Sequence, residues 1–183
     1  MGRLIVLMGP TGAGKSVQGD LLAEQYGAAH LSSGKLLRKD PKALAQMEDG
    51  RLAPASEVER VVGEAMGKVP RDQLLVLDGF PRRYSDVEWL EREMPGMDRQ
   101  LLAVVLIELD IETSMKRLGL RGRADDAPEA IREKYKLFHD VTKTVVDHYS
   151  ELGLLVTVDG RGTIDEVHEA IVAELEAREV LST

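Results

Sequence analysis

Gly9-Pro10-Thr11-Gly12-Ala13-Gly14-Lys15-Ser16 follows directly on the apolar run Leu4 to Met8. It has the form G-x-x-x-x-G-K-[ST], and a strand before it and a helix after it are the context that turns this form into a phosphate cradle. Gly12 and Gly14 let the backbone curl so that successive N–H groups point inward at an anion. A helix beginning near Lys15 adds its positive dipole end, and Lys15 supplies a mobile cation for the outer phosphates. Ser16 offers a hydroxyl to a magnesium ion. An ordinary strand-to-helix turn needs one or two glycines and has no use for this spacing with Lys-Ser. A nucleoside triphosphate, or something very like one, is the expected ligand.

Outward from this loop, strand-like runs alternate with helical segments. Leu4–Met8, Ala28–Leu31, Leu74–Leu77, Leu102–Glu108 and Leu154–Val158 read as strands. The last three are nearly continuous aliphatic runs, as parallel strands covered on both faces require. After Pro128, Ile131, Tyr135, Phe138, Val141, Val145 and Tyr149 fall on one helical stripe that ends before Gly153. A second helix starts after Tyr84-Ser85, turns Val87, Leu90 and Met94 inward and stops at Pro95-Gly96. The pattern predicts a doubly wound α/β fold, a five-stranded parallel sheet with ligands at the carboxyl ends of its strands. Two stretches break the rhythm. Residues 33–67 read as a small helical insertion, and residues 121–128 as a short charged lid loop.

The chain has 183 residues, enough for one well-buried core and not for two full domains. Its net charge of -8 and 4% aromatic content argue against a nucleic-acid surface. With no cysteine there is neither a disulfide nor a thiolate metal site. No stretch approaches transmembrane length, and the N-terminal apolar run is too short for a signal peptide. These features lead us to expect a cytoplasmic enzyme without nucleic-acid or membrane partners. His30, His139, His148 and His168 lie scattered without ligand spacing and are expected to be structural or surface residues.

Asp78-Gly79-Phe80-Pro81-Arg82 sits at the carboxyl end of a predicted strand. An aspartate there can hold the hydration shell of magnesium, and Arg82 can grip a phosphate. Taken alone the stretch is equally a turn built on Asp-Gly and Pro. Arg121 and Arg123 are close enough to converge on one phosphate chain, because guanidinium groups bind phosphoryl oxygens in bidentate fashion. Asp125 and Asp126 would orient them or touch a ribose. Lys134, two turns into the next helix, can reach the same region.

Gln18, Tyr26-Gly27, His30-Leu31-Ser32-Ser33-Gly34, Leu36-Leu37-Arg38, Asp78–Arg82, Arg121–Asp126 and Val158-Asp159-Gly160 follow the phosphate loop in that order. In this the chain resembles the adenylate kinase family of nucleoside monophosphate kinases, of the short-lid type, along essentially its whole length. The resemblance implies a P-loop kinase fold and the reaction MgATP + NMP ⇌ ADP + NDP, most often with AMP as acceptor, in a monomer. By position, Gly9, Thr11, Gly12, Ala13, Gly14, Lys15, Ser16 and Val17 would hold the donor phosphates. Arg38 and Arg82 would hold the acceptor phosphate, with Ser33, Gly34, Gly79, Asp86 and Arg123 around the acceptor and Gly50 to Pro54, including Ala53, at its nucleoside. Arg117, Arg121, Arg123 and Lys134 would line the transferring group. Arg161-Gly162-Thr163 resembles the loop beside the ATP adenine, and Ser16 and Asp78 would carry Mg2+, Asp78 through water.

The chain departs from the family pattern in places. Gly14-Lys15-Ser16-Val17 stands where Gly-Lys-Gly-Thr is usual, Lys35 where an acid is common, and Lys134 where an arginine is common. Asp86 replaces a glutamine that both donates to and accepts from adenine. An ionised Asp86 only accepts, which suits guanine or cytosine if it faces the base. Alternatively it favours the first turn of its helix and faces water. GMP or CMP, another small substrate of a phosphate-loop kinase, and a non-catalytic ATP sensor are therefore the alternatives to AMP phosphorylation.

Overall fold

The computed structural model describes residues 1–45, 53–121 and 127–181, Arg121 in its backbone alone. Five strands, β1 (Gly2–Met8), β2 (Ala29–Ser32), β3 (Leu75–Asp78), β4 (Arg99–Glu108) and β5 (Leu155–Asp159), form one parallel sheet in the order β2-β3-β1-β4-β5. Eight helices are present among the described residues: α1 (Lys15–Tyr26), α2 (Ser33–Lys39), α3 (Pro41–Ala45), α4 (Ala55–Met66), α5 (Tyr84–Glu93), α6 (Ile111–Arg121), α7 (Pro128–Glu151) and α8 (Ile164–Ala177).

Strand side chains alternate between two cores, as the period of two requires. Leu4, Val6, Leu75, Leu77, Val104 and Leu106 point to the side covered by α4, α5 and α7, where Val62, Leu90, Val145 and Tyr149 meet them. Ile5, Leu7, Val76, Ala103, Val105 and Ile107 point to the side covered by α1 and α8, against Leu22, Val167 and Ile171. Both faces of the central strands are thus dry, which explains their unbroken aliphatic sequence. The edge strand β5 shows the other pattern, with Val156 and Val158 buried and Thr157 and Asp159 exposed.

All five predicted strands are present. The main difference is β4, which begins at Arg99 rather than Leu102. Arg99 is 3% exposed, and its guanidinium donates to the carbonyls of Val69, Pro70 and Gln73. Those three acceptors lie almost thirty residues upstream, so nothing local marks this arginine as the start of a strand. Within 33–67 the described residues form α2, α3 and α4. Residues 46–52 lie outside the described residues.

Because the sheet is parallel, the turns after β1, β2, β3, β4 and β5 all emerge along one edge. The chain leaves β1 toward the β3 side and returns on the β4 side, so the edge has its crevice above β1. The phosphate loop stands in that crevice.

Candidate active site

The phosphate loop turns through three left-handed glycines, Gly9 (φ 147°), Gly12 (φ 82°) and Gly14 (φ 90°). A side chain at Gly9 would collide with the carbonyl of Ile107, 2.4 Å from where its Cβ would lie. Lys15 opens α1 and donates through Nζ to the carbonyls of Gly9 and Pro10, at 2.8 Å each. The ammonium therefore already lies across the mouth of its own loop. Thr11 and Ala13 complete the curl, and Val17, one residue beyond Ser16, is exposed.

The register of β1 on β3 places Leu7 beside Asp78. That pairing brings Ser16 and Asp78, 62 residues apart, into contact: Ser16 Oγ donates to Asp78 Oδ2 at 2.5 Å. Asp78 is 3% exposed. Burial pushes its carboxyl up, but the nearby His30 imidazole, the Lys15 charge and the Ser16 and Ser32 hydroxyls outweigh burial and hold it at about 2. A charged carboxylate and a hydroxyl, both hard oxygen donors beside a phosphate cradle, fit magnesium. Among the described residues no group of three or more His, Cys, Asp or Glu side chains forms a metal site. The ion would thus owe most of its ligands to phosphate and water.

His30 is the residue that sequence reasoning missed here. Its side chain is nearly sealed, with Nδ1 at 2.6 Å from Asp20 Oδ1 and Nε2 at 3.8 Å from Asp78 Oδ2. Burial lowers its pKa, and Asp78 and Asp20 together raise it above the ordinary value. Gly19 makes room for the ring, since a Cβ there would lie 2.4 Å from Nε2. Asp20 is paired in turn with Lys35, so the departure at Lys35 has an acid partner on α1. An aspartate four residues after Ser16 was the available signal.

Arg82 follows the turn at Gly79 (φ 75°), which Phe80 anchors by packing edge-on against Trp89. Arg82 Nε and Ser33 Oγ both donate to the Gly79 carbonyl, at 2.7 and 2.8 Å. A Cβ at Gly79 would meet Ser33 Oγ at 2.9 Å and Arg82 at 3.2 Å. Burial lowers the Arg82 pKa, Asp78 and Asp86 oppose that, and the charges of Arg83 and Arg38 add to it. Arg38 comes from α2, and its guanidinium lies over Gly34, 3.4 Å from where a Cβ would be. Arg83 donates to the carbonyl of Ala53, which joins this turn to the start of the α4 segment.

Asp86 resolves the alternatives of sequence in an unexpected way. It is 1% exposed, so it does not face water. Its Oδ2 accepts from the backbone N–H groups of Arg82 and Arg83, at 2.9 Å each, and caps α5. Oδ1 is buried without a hydrogen-bond partner.

The third group lies on the β4–β5 side. Arg117 on α6 donates to the Gly162 carbonyl at 2.9 Å. Arg161 is folded back onto Asp159, which it holds at about 2, and is exposed beside the site. Lys134 is half-buried on the second turn of α7. Arg123, Asp125 and Asp126 lie outside the described residues, as does the segment 50–52, and Arg121 closes α6. The structure thus brings Lys15, Ser16, Ser33, Arg38, Asp78 and Arg82 to one crevice, with Arg117 and Gly162 along its flank.

The family model described as "Adenylate kinase" matches residues 7–154. Curated relatives named adenylate kinase include one from Nocardia farcinica (strain IFM 10152), 35% identical over 93% of this chain and 98% of the relative. One from Synechococcus sp. (strain WH7803) is 36% identical over 97% of this chain and 98% of its own length. One from Prochlorococcus marinus (strain MIT 9211) is 37% identical over 89% and 91% respectively.

Proposed function

The chain belongs to the adenylate kinase family, and from that premise we propose that it transfers the γ-phosphoryl group of MgATP to AMP, giving two ADP. It is an ATP-dependent nucleoside monophosphate phosphotransferase. The observation that carries the acceptor half is the placement of two guanidinium groups, that of half-buried Arg82 at the Gly79 turn and that of exposed Arg38 over Gly34 on α2. Two like charges facing the same crevice repel each other, and an anion between them relieves that repulsion. The acceptor's phosphate is that anion.

Phosphoryl transfer needs little covalent help, but it needs two polyanions in line with their charge neutralised. The loop amides and Lys15 hold the donor phosphates. Arg82 and Arg38 fix the acceptor phosphate so that one of its oxygens faces the γ-phosphorus. The bond from that phosphorus to the β-bridging oxygen breaks as the bond to the acceptor oxygen forms. Ser16 and, through water, Asp78 would hold the magnesium that accompanies ATP, and the ion would supply charge neutralisation to the phosphates. Arg117, Arg121, Arg123 and Lys134 supply positive charge toward the transferring group, and exclusion of water from the site keeps water from becoming the acceptor. Arg161 and Gly162 border the adenine of ATP.

Asp86 weighs against GMP. The argument for guanine needs two neighbouring acceptor oxygens, and one of the pair is held by its own helix. No described helix is long and apolar enough to cross a membrane. A cytoplasmic monomer that meets only small nucleotides completes this reading.

The test is ADP release from MgATP with AMP, GMP, CMP and UMP offered singly. AMP is expected to be the strong substrate, and turnover confined to another base would overturn the assignment. Arg82→Ala is expected to lower kcat/KM by about 10³-fold while ATP affinity holds within about twofold. Equal loss of both would sink the acceptor-phosphate role.

A further inference from the structure

Ser114 lies on α6, outside every motif of the sequence, and is 0% exposed. A serine inside a helix commonly turns its hydroxyl back on its own preceding turn. Ser114 does otherwise: its backbone N–H donates to the Asp110 carbonyl, while its Oγ reaches 103 residues along the chain to donate to the Thr11 carbonyl at 2.7 Å. The contact sits under the tightest part of the phosphate loop. A Cβ on Gly12 would meet Ser114 Oγ at 3.1 Å and Leu118 at 3.3 Å, so α6 lies against the loop with little slack.

The base of α6 is itself held. Asp110 accepts from the N–H and hydroxyl of Thr113, at 2.7 and 2.9 Å, and the hydroxyl of Tyr135 on α7 donates to the Leu109 carbonyl at 3.0 Å. One turn beyond Ser114, Arg117 is tied to Gly162. The hydroxyl therefore belongs to a rigid support and not to a mobile surface.

We propose that Ser114 is a positioning residue for the donor phosphates, acting through the Thr11 carbonyl. In a loop that binds an anion through its N–H groups, each intervening carbonyl must be turned away or engaged by a donor. Lys15 secures those of Gly9 and Pro10, and Ser114 secures that of Thr11. Without it the peptide joining Thr11 and Gly12, which lies next to a left-handed glycine, is free to rotate and present a carbonyl dipole to the phosphates. The proposal rests on the loop being the ATP site.

The experiment compares wild type, Ser114→Ala and Ser114→Cys, the last being near-isosteric with a weaker donor. Amide exchange at residues 11–14 is followed without nucleotide, ATP affinity by calorimetry without acceptor, and KM for AMP by ADP release. In both variants loop exchange is expected to quicken about tenfold and ATP binding to weaken about five- to tenfold, the scale of one lost buried hydrogen bond. KM for AMP stays within about twofold. Unchanged exchange with unchanged ATP affinity overturns the proposal, and so does equal weakening toward both substrates, which a merely structural serine would cause. Should Ser114→Ala fail to fold, Ser114→Cys decides alone. A wild type that binds ATP but forms no ADP overturns the kinase reading and leaves the Ser114 comparison standing.

Discussion

Asp86 accepts from the backbone N–H groups of Arg82 and Arg83, the residue before the N-cap of α5 and the N-cap residue itself. Because Arg82 is also the proposed acceptor-phosphate ligand, the cap fixes the backbone from which that guanidinium projects. Asp86→Ala removes the acceptor while both N–H groups stay in a buried corner. It is expected to cost about 1–2 kcal/mol in urea unfolding and to raise KM for AMP several-fold through loosened placement of Arg82. Asp86→Asn keeps a carbonyl acceptor at the same reach and is expected to recover most of both losses. Neither variant is expected to change the ranking of AMP, GMP, CMP and UMP. A changed ranking would mean that the side chain reads the base after all.

At the scale of elements, α2, α3 and α4 share buried apolar side chains (Leu37, Ala43, Val58, Val61 and Val62) and, outside them, a network of charge. Arg60 on α4 donates to Asp40 at the end of α2 at 2.8 Å, to Glu57 at 3.0 Å and to Glu64 at 3.2 Å, and Lys42 on α3 pairs with Glu57. Single exposed pairs are weak, but a network that joins three short helices limits how they move together. Arg60→Gln is expected to raise KM for AMP about two- to threefold and leave KM for ATP unchanged. The difference should shrink in about 1 M salt, where screening weakens the wild-type network as well. A salt-independent effect, or one on ATP, would place the role of Arg60 elsewhere. This network also shows what sequence can and cannot reveal. The helices were legible in 33–67 from the absence of a strand pattern, and Glu57 to Arg60 has helical pairing distance. Asp40 lies 20 residues before Arg60, and only the fold brings it there. The same division holds in the crevice. The phosphate loop and Asp78–Arg82 were legible because each is contiguous and follows an aliphatic strand. Ser114 and Arg99 were not, because their partners lie 103 and 26 to 30 residues away, and His30 was only half legible, because Asp20 is 10 residues away but Asp78 is 48. Asp86 was misplaced for a different reason: a carboxylate at that spacing can cap a helix or face a ligand, and burial decides.

At the scale of the whole molecule, the perturbed groups set a pH profile for the nucleotide-free protein. Asp78, held at about 2 against an ordinary 3.8, contributes stability that is present above pH 3.8 and lost as pH falls toward 2. A shift of that size in a buried group is worth about 2 kcal/mol. Asp20 and Asp110 are lowered as well and act in the same direction. His30 has the opposite sense. Its pKa is raised, so its contribution is complete below pH 6.5 and is lost as pH rises through the folded value. His168 partly offsets this: burial lowers its pKa, and its folded form gains as pH climbs toward and past 6.5. Stability is therefore expected to peak between about pH 5 and 6.5 and to decline on both sides. The acid decline should exceed the alkaline one, because Asp78 is joined there by the other lowered carboxylates. His30→Gln places a neutral side chain between Asp20 and Asp78 and removes the charge that couples to both. Urea unfolding across pH 3–9 is expected to show a flatter alkaline side in the variant and a smaller acid decline, because His30 also helps to lower Asp78 and Asp20. An alkaline side as steep as that of wild type would show that the His30 charge does not hold these carboxylates together.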